Sequence, residues 1–106
     1  MLESVFKKLV IDELEAMYPE AIILKNDAGS LQGIADLLIL FGNTWAALEF
    51  KKSKHAPRRP NQDYYIEKLD GMSYATYIYP ENKDEVYDAI QSTFGSHRNA
   101  RFPKRI

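Results

Sequence analysis

The sequence contains no cysteine, only two histidines and one tryptophan. Without cysteine, neither a disulfide framework nor a thiolate metal centre can form. Because imidazole is limited to His55 and His97, a zinc site is not expected. No apolar run approaches the roughly 20 residues that a membrane-spanning helix needs. The MLESVFKK start is amphipathic and does not have the pattern of a signal peptide, so we expect an intracellular protein.

The composition is that of an ordinary globular domain, with 106 residues, 45% of them hydrophobic and 27% charged. We assign one domain to residues 1–94 and a basic tail to residues 95–106. The formal net charge of -1 conceals a segregation, because residues 51–60 and the tail contain basic but no acidic side chains. Such segregation indicates a positive surface for a polyanion. The alternative is a solvated loop and a disordered tail.

Hydrophobic periodicity and turn residues predict elements in the order α-β-β-β-α-β-α. The Gly42-Asn43 pair is typical of a hairpin turn, and Pro60 and Pro80 suit the first turns of the second and third helices. We therefore expect an α/β (α+β) fold in which helices flank a mixed four-stranded sheet. The predicted helices are 2–18, 60–71 and 81–94, and the predicted strands are 21–25, 36–41, 44–53 and 73–79.

Charged side chains interrupt the two most apolar predicted strands. Asp36 precedes the run LLILF, whereas Glu49 and Lys51 alternate within LEFKK and so share one face of their strand. Buried charges are costly unless they pair with each other or with a ligand. Glu49 lies near the residue expected to pair with Asp36 across the hairpin, so the two carboxylates should repel each other. A divalent cation would relieve this repulsion, and the Phe50 carbonyl would be a further oxygen ligand. The ordinary alternatives are a turn role for Asp36 and a salt bridge for Lys51.

The strings GIADLLI and LEFKK, with a glutamine near the start of the next helix, resemble the signature of the PD-(D/E)XK nuclease superfamily. They are most similar to VRR-NUC-type domains and small phage-type junction-resolving endonucleases, over residues 1–79. The resemblance implies a restriction-endonuclease-like αβββαβ core. It also implies that Asp36 and Glu49 bind Mg²⁺ or Mn²⁺ and that Lys51 assists the attacking water. One position departs from the pattern, since Ala35 stands where the family usually has proline.

The resemblance further implies a metal-binding glutamate from the first helix. Glu3, Glu13 and Glu15 are the candidates, and we prefer Glu3 because the family's glutamate lies near the helix start. The alternative is an acid that stabilises the N-terminus of the helix.

Gln62 is a second supporting candidate. It lies on the same helical stripe as Ile66 and Leu69, so its amide should face the sheet near Glu49 and Lys51. The resemblance also implies a functional glutamine or basic residue at this place. The alternative is a buried amide with satisfied hydrogen bonds.

Together these residues predict a metal-dependent DNA endonuclease that hydrolyses phosphodiester bonds. Backbone contacts do not read sequence, so we expect selectivity for branched, flap or junction DNA. A homodimer is expected because so small a domain covers little DNA. The alternatives are a Holliday-junction resolvase with strict four-way selectivity and an inactive DNA-binding or interaction module. The expected DNA contacts are Lys52, Lys54, His55, Arg58 and Arg59 in the basic loop, and Arg98 and Arg101 in the tail.

Overall fold

The computed structural model describes residues 1–26 and 31–95 of the chain. Its elements follow the predicted order, with a short 3-10 turn before the last helix. None of the helices in these ranges has the length and apolar character that a membrane crossing requires. The helices are α1 (Glu3–Met17), α2 (Gln62–Met72) and α3 (Lys83–Gly95), and the strands are β1 (Ile22–Lys25), β2 (Leu37–Phe41), β3 (Thr44–Phe50) and β4 (Tyr74–Ile78).

The strands form one mixed sheet in the order β1-β2-β3-β4. The β1–β2 and β2–β3 pairs are antiparallel, whereas β3 and β4 are parallel. The β2–β3 hairpin turns at Gly42, whose φ of 62° costs glycine little. Parallel strands need a crossover connection, which α2 supplies between β3 and β4. The predicted fold class, a mixed sheet flanked by helices, is confirmed, and the restriction-endonuclease-like assignment stays a prediction.

The two faces of the sheet have different coverings. α1 and α3 contribute to a large apolar core on one face, which Leu48 and Phe50 of β3 join. α2 packs on the other face against β3 and β4, where Ile66 and Tyr77 lie against small alanine side chains. Side chains alternate along a strand, so Glu49 points to the α2 face. Further members of the large core are Phe6, Val10, Leu14, Ile39, Ile90 and Phe94.

β1 is an edge strand of the sheet. Within the described ranges its outer side has no strand neighbour, and Ile22 and Leu24 are 59% and 44% exposed. The strand is four residues long and ends at Lys25.

The end of β3 differs from the predicted one. The strand ends at Phe50 rather than at residue 53, because the chain then folds back and brings the Pro57 carbonyl to 3.0 Å from the Lys51 ammonium. Lys51 therefore follows the strand directly, and its N–H still donates to the Ile78 carbonyl of β4 at 2.9 Å.

The boundaries of the last two helices also differ. α2 begins at Gln62 rather than at Pro60, because Asn61 has a φ of 70°, which an α-helix does not contain. Gly71 lies inside α2 instead of closing it. Pro80–Asn82 form the 3-10 turn before α3, in which the Asn82 side chain accepts a hydrogen bond from the Tyr79 N–H at 2.9 Å.

Candidate active site

The β2–β3 hairpin brings two carboxylates together. Leu37 pairs with Leu48 across the antiparallel ladder, so continuing the register by one residue sets Asp36 opposite Glu49. The Phe50 N–H donates to Asp36 Oδ2 at 3.0 Å, which ties the aspartate side chain to β3. The juxtaposition expected from the sequence is therefore present.

Glu49 is a buried carboxylate with an unsatisfied oxygen. The residue is only 4% exposed, and its Oε1 atom has no hydrogen-bond partner among the described residues. Buried polar atoms normally have such a partner. Burial first, and then the neighbouring Asp36 carboxylate, raise the pKa of Glu49 to about 7, and the Lys51 ammonium acts against both. The negative charge at this place thus exceeds what one lysine compensates.

The Gln62 amide links this carboxylate to Lys51. Its Nε2 donates to Glu49 Oε2 at 2.7 Å, and its Oε1 accepts hydrogen bonds from Lys51 Nζ at 2.7 Å and from the Arg59 backbone N–H at 2.9 Å. The amide is 3% exposed and faces the sheet, as its place on the helical stripe predicts. These three bonds fix the orientation of the amide and hold both charged side chains.

Lys51 is held from several directions although it is only 7% exposed. Its ammonium donates to Gln62 Oε1 and to the Pro57 carbonyl, and it lies 5.7 Å from the centroid of the Tyr77 ring. A lysine ammonium has three N–H donors. Among the described residues the third has no acceptor.

Apart from the buried Lys51, the basic side chains of residues 51–60 are exposed, as expected for a positive surface. Arg58 is held in place, because its guanidinium lies 4.4 Å from the Tyr77 ring centroid and 3.2 Å from Asp63 Oδ1. Tyr77 in turn donates to Asp63 Oδ1 at 2.5 Å. The remaining exposed members of the predicted DNA surface are Lys52, Lys54, His55 and Arg59.

A cavity of about 270 Å³ opens beside the carboxylate pair. Asp36, Glu49 and Gln62 line its polar part, and Arg59 lines it as well. Its apolar wall is formed by Leu31, Ile34 and Pro60. The cavity therefore offers a charged floor and an apolar wall to a ligand.

The structure does not bring a first-helix glutamate to the carboxylate pair. Within residues 1–26 and 31–95, no group of three or more histidine, aspartate or glutamate side chains is arranged to hold a metal ion. The predicted placement of Glu3 beside Asp36 and Glu49 is therefore corrected. The physical reason is that α1 packs on the opposite face of the sheet, where Glu3 and Glu15 line a separate depression.

Other predicted residues lie away from the pair or outside the described ranges. Glu13 accepts hydrogen bonds from Lys83 Nζ at 2.9 Å and Tyr87 Oη at 2.7 Å. These bonds lower the pKa of Glu13 and tie α1 to α3. Arg98 and Arg101 lie outside the described residues.

The donor set fits a hard divalent cation that keeps much of its water. Mg²⁺ is usually bound by one or two carboxylates and retains several waters. Asp36 and Glu49 supply two carboxylates, and the unpaired Glu49 Oε1 is the atom that such an ion would satisfy. The Phe50 carbonyl stays a predicted third ligand.

No protein-family model, curated protein or solved structure matches this chain. A function for this chain is therefore inferred from the geometry of the site. Membership of the PD-(D/E)XK superfamily remains a prediction from the motif and the order of elements.

The sequence patterns missed the groups that surround the lysine. A backbone carbonyl in an irregular loop, such as that of Pro57, carries no signal in the sequence. Tyr77 could have been found, because in the parallel register it is the direct neighbour of Glu49. Finding it requires the register of the β3–β4 pair, which the turn residues of a crossover do not determine.

Proposed function

We propose that the protein is a metal-dependent DNA endonuclease that hydrolyses phosphodiester bonds, selective for branched, flap or junction DNA, and acts inside the cell. One observation carries the proposal. The carboxylates of buried Glu49 and half-buried Asp36 lie together, Glu49 Oε1 has no hydrogen-bond partner among the described residues, and the buried Lys51 is linked to Glu49 through Gln62. Removing these charges from water costs free energy that hydrophobic residues would not cost, and a role in chemistry accounts for them.

The residues divide the work of phosphodiester hydrolysis. Asp36 and Glu49 hold Mg²⁺ or Mn²⁺ through their carboxylate oxygens. When bound, the ion supplies a more acidic water and polarises the phosphate. Lys51 directs its free N–H at the attacking water or at the charge that develops on the phosphate. Gln62 is a positioning residue, because it fixes the side chains of Glu49 and Lys51 relative to each other.

The exposed basic side chains support DNA as the substrate. They contact phosphates, which sets position and affinity without reading bases, and this supports selectivity by shape. A homodimer, with one domain on each strand, would suit paired cuts in a branched substrate. These contacts are Lys52, Lys54, His55, Arg58 and Arg59, with Arg98 and Arg101 of the tail.

Two observations favour a second candidate, a DNA-binding module of the same fold without catalysis. No third carboxylate joins Asp36 and Glu49 among the described residues, and the Lys51 ammonium already has two acceptors. In such a module the Gln62 network would serve stability alone.

A cleavage assay separates these candidates. Labelled four-way junction, flap and linear duplex DNA are incubated with Mg²⁺ or Mn²⁺ and with wild type, Asp36→Asn or Lys51→Ala. The matched control is Asp12→Asn, an exposed aspartate of α1 paired with Lys8 at 3.0 Å. We expect the site variants to cleave about 10²- to 10³-fold more slowly, because each removes electrostatic stabilisation of the transition state, and the control to cleave at the wild-type rate.

The outcomes are distinct. Equal nicking by all four proteins would indicate a contaminating nuclease and overturn the proposal. Cleavage of the four-way junction alone would identify a strict resolvase. DNA binding without cleavage in both ions would favour the inactive module.

A further inference from the structure

Two adjacent arginines in the basic segment are held differently. Arg58 shares its charge with Asp63 and stacks on Tyr77. Arg59 is one of the residues that line the cavity beside Asp36, it is exposed, and among the described residues its guanidinium has no ion pair or hydrogen bond. Of the two charges, that of Arg59 is therefore the one available to a ligand in the cavity.

The backbone that carries Arg59 is fixed. Its N–H donates to Gln62 Oε1 at 2.9 Å, and the following Pro60 restricts the conformation of the residue before it. Asn61 then packs against Gly33 so closely that a Cβ atom on Gly33 would lie 2.7 Å from the Asn61 carbonyl carbon. The backbone that carries Arg59 is therefore held in place. Its N–H is bound by the same Gln62 amide that binds the side chains of Glu49 and Lys51.

A phosphate that approaches two carboxylates is repelled unless fixed positive charge lies beside them. Lys51 is not among the residues that line the cavity, and its ammonium is held by Gln62 Oε1 and the Pro57 carbonyl. A guanidinium presents a planar set of donors that can bind two phosphate oxygens at once. Arg59, at the cavity and otherwise unengaged among the described residues, has the chemistry that this place requires.

We infer that Arg59 binds the phosphodiester that enters the cavity, through its guanidinium, whereas Arg58, which contacts Asp63 and Tyr77, does not line the cavity. The inference rests on the proposed function in that the anion is a phosphodiester of DNA. It distinguishes two residues that the sequence alone treats as equivalent.

Binding and cleavage by Arg59→Ala, Arg59→Lys and Lys68→Ala test the inference. Lys68 is the matched control, because it is an exposed cation of α2 whose ammonium reaches Tyr64 and not the cavity. Binding to a fluorescein-labelled four-way junction is followed by anisotropy in EDTA over a range of NaCl concentrations. Cleavage in Mn²⁺ is resolved into kcat and KM, and the melting temperature of each variant is measured.

We expect Arg59→Ala to weaken binding about 10-fold or more and to reduce the slope of log K against log salt by about 0.9. Arg59→Lys should keep the slope, since it keeps the charge, but recover only part of the affinity, since it lacks the two-point contact. Lys68→Ala should stay within about twofold of wild type. All three should melt at the wild-type temperature.

Arg59→Ala binding and cleaving like Lys68→Ala would overturn the inference. If Arg59→Ala does not fold, Arg59→Lys decides: a several-fold loss of affinity at an unchanged slope supports the inference, and wild-type affinity overturns it. A wild type that binds through Arg59 but never cleaves would overturn the nuclease proposal and leave this inference standing. If wild type and Arg59→Ala cleave equally well, the inference is overturned and the nuclease proposal stands. A wild type that binds no DNA would overturn both.

Discussion

The two faces of the sheet bury different kinds of side chain. The face under α1 and α3 holds large apolar side chains, several of them fully buried, and each such Leu, Ile or Phe contributes about 1.5–3 kcal/mol. The face under α2 holds alanines, Ile66 and Tyr77, together with the buried polar groups of Glu49, Lys51 and Gln62. One face therefore supplies the stability that lets the other bury charge. Four predictions test this division.

The largest expected effect lies on the apolar face. Leu48→Ala should lower the free energy of unfolding by about 2–5 kcal/mol, because it leaves a cavity in a core that cannot close around it. The measurement is urea denaturation. The control is Leu24→Ala on the open edge strand, where the side chain is partly exposed and the loss should be less than half as large. Equal losses for the two leucines would contradict the assignment of stability to this face.

Two glutamines allow the same substitution on each face. Gln62→Leu should lower the free energy of unfolding by about 2–3 kcal/mol, because it deprives Glu49 and Lys51 of buried hydrogen bonds. Gln91→Leu on α3 should change it by no more than about 0.5 kcal/mol, because Gln91 Oε1 is buried without a partner among the described residues. Chemical denaturation measures both, and a reversed order would contradict the proposed role of the Gln62 network.

The pH dependence of stability should carry the signature of Glu49. Folding raises its pKa from 4.5 to about 7, so between these values the folded protein binds more protons than the unfolded chain. In EDTA the stability should therefore fall as the pH rises from about 4.5 through 7, by on the order of 2 kcal/mol. Mg²⁺ should restore it mainly at the upper end, where the carboxylate is ionised.

Glu49→Gln is the variant that checks this effect. The neutral isostere should lack the decline with pH and should not respond to Mg²⁺, when both proteins are denatured with urea at pH 5 and pH 8. Parallel pH profiles for wild type and Glu49→Gln would show that another group is responsible.

The smallest expected effect concerns Tyr77. Tyr77→Phe keeps the ring that contacts Lys51 and Arg58 but removes the hydrogen bond to Asp63. We expect a loss of about 1 kcal/mol in thermal denaturation. Tyr64→Phe, at an exposed position, should have no measurable effect. A loss well above that of an ordinary hydrogen bond would mean that the hydroxyl also orders the lysine.

The parts of the site that the sequence predicted are those governed by local periodicity. A tight turn at Gly42 fixes the β2–β3 register, and that register sets Asp36 against Glu49. Helical spacing in the same way turned Gln62 towards the sheet. In both cases the residue's direction follows from its near neighbours in the chain.

The parts that failed depend on long-range packing or on irregular backbone. Whether Glu3 reaches the carboxylate pair depends on which face α1 covers, and both faces accept an amphipathic helix equally well by pattern. The start of α2 depends on the left-handed conformation of Asn61, which Asn tolerates but does not demand. The difference between Arg58 and Arg59 depends on Asp63 and Tyr77, which approach only when the crossover is complete.

Among the described residues the outer side of β1 has no strand neighbour, which has a consequence for handling the protein. A strand edge with free N–H and C=O groups is a template on which other chains can add, and aggregation begins at such edges. The exposed side chains of Ile22 and Leu24 favour association at this edge. The short length of the strand and the charge of Lys25 oppose the addition of further chains. The Leu24→Lys variant should remain soluble at a higher protein concentration than wild type. The substitution leaves the candidate active site on β3 unchanged.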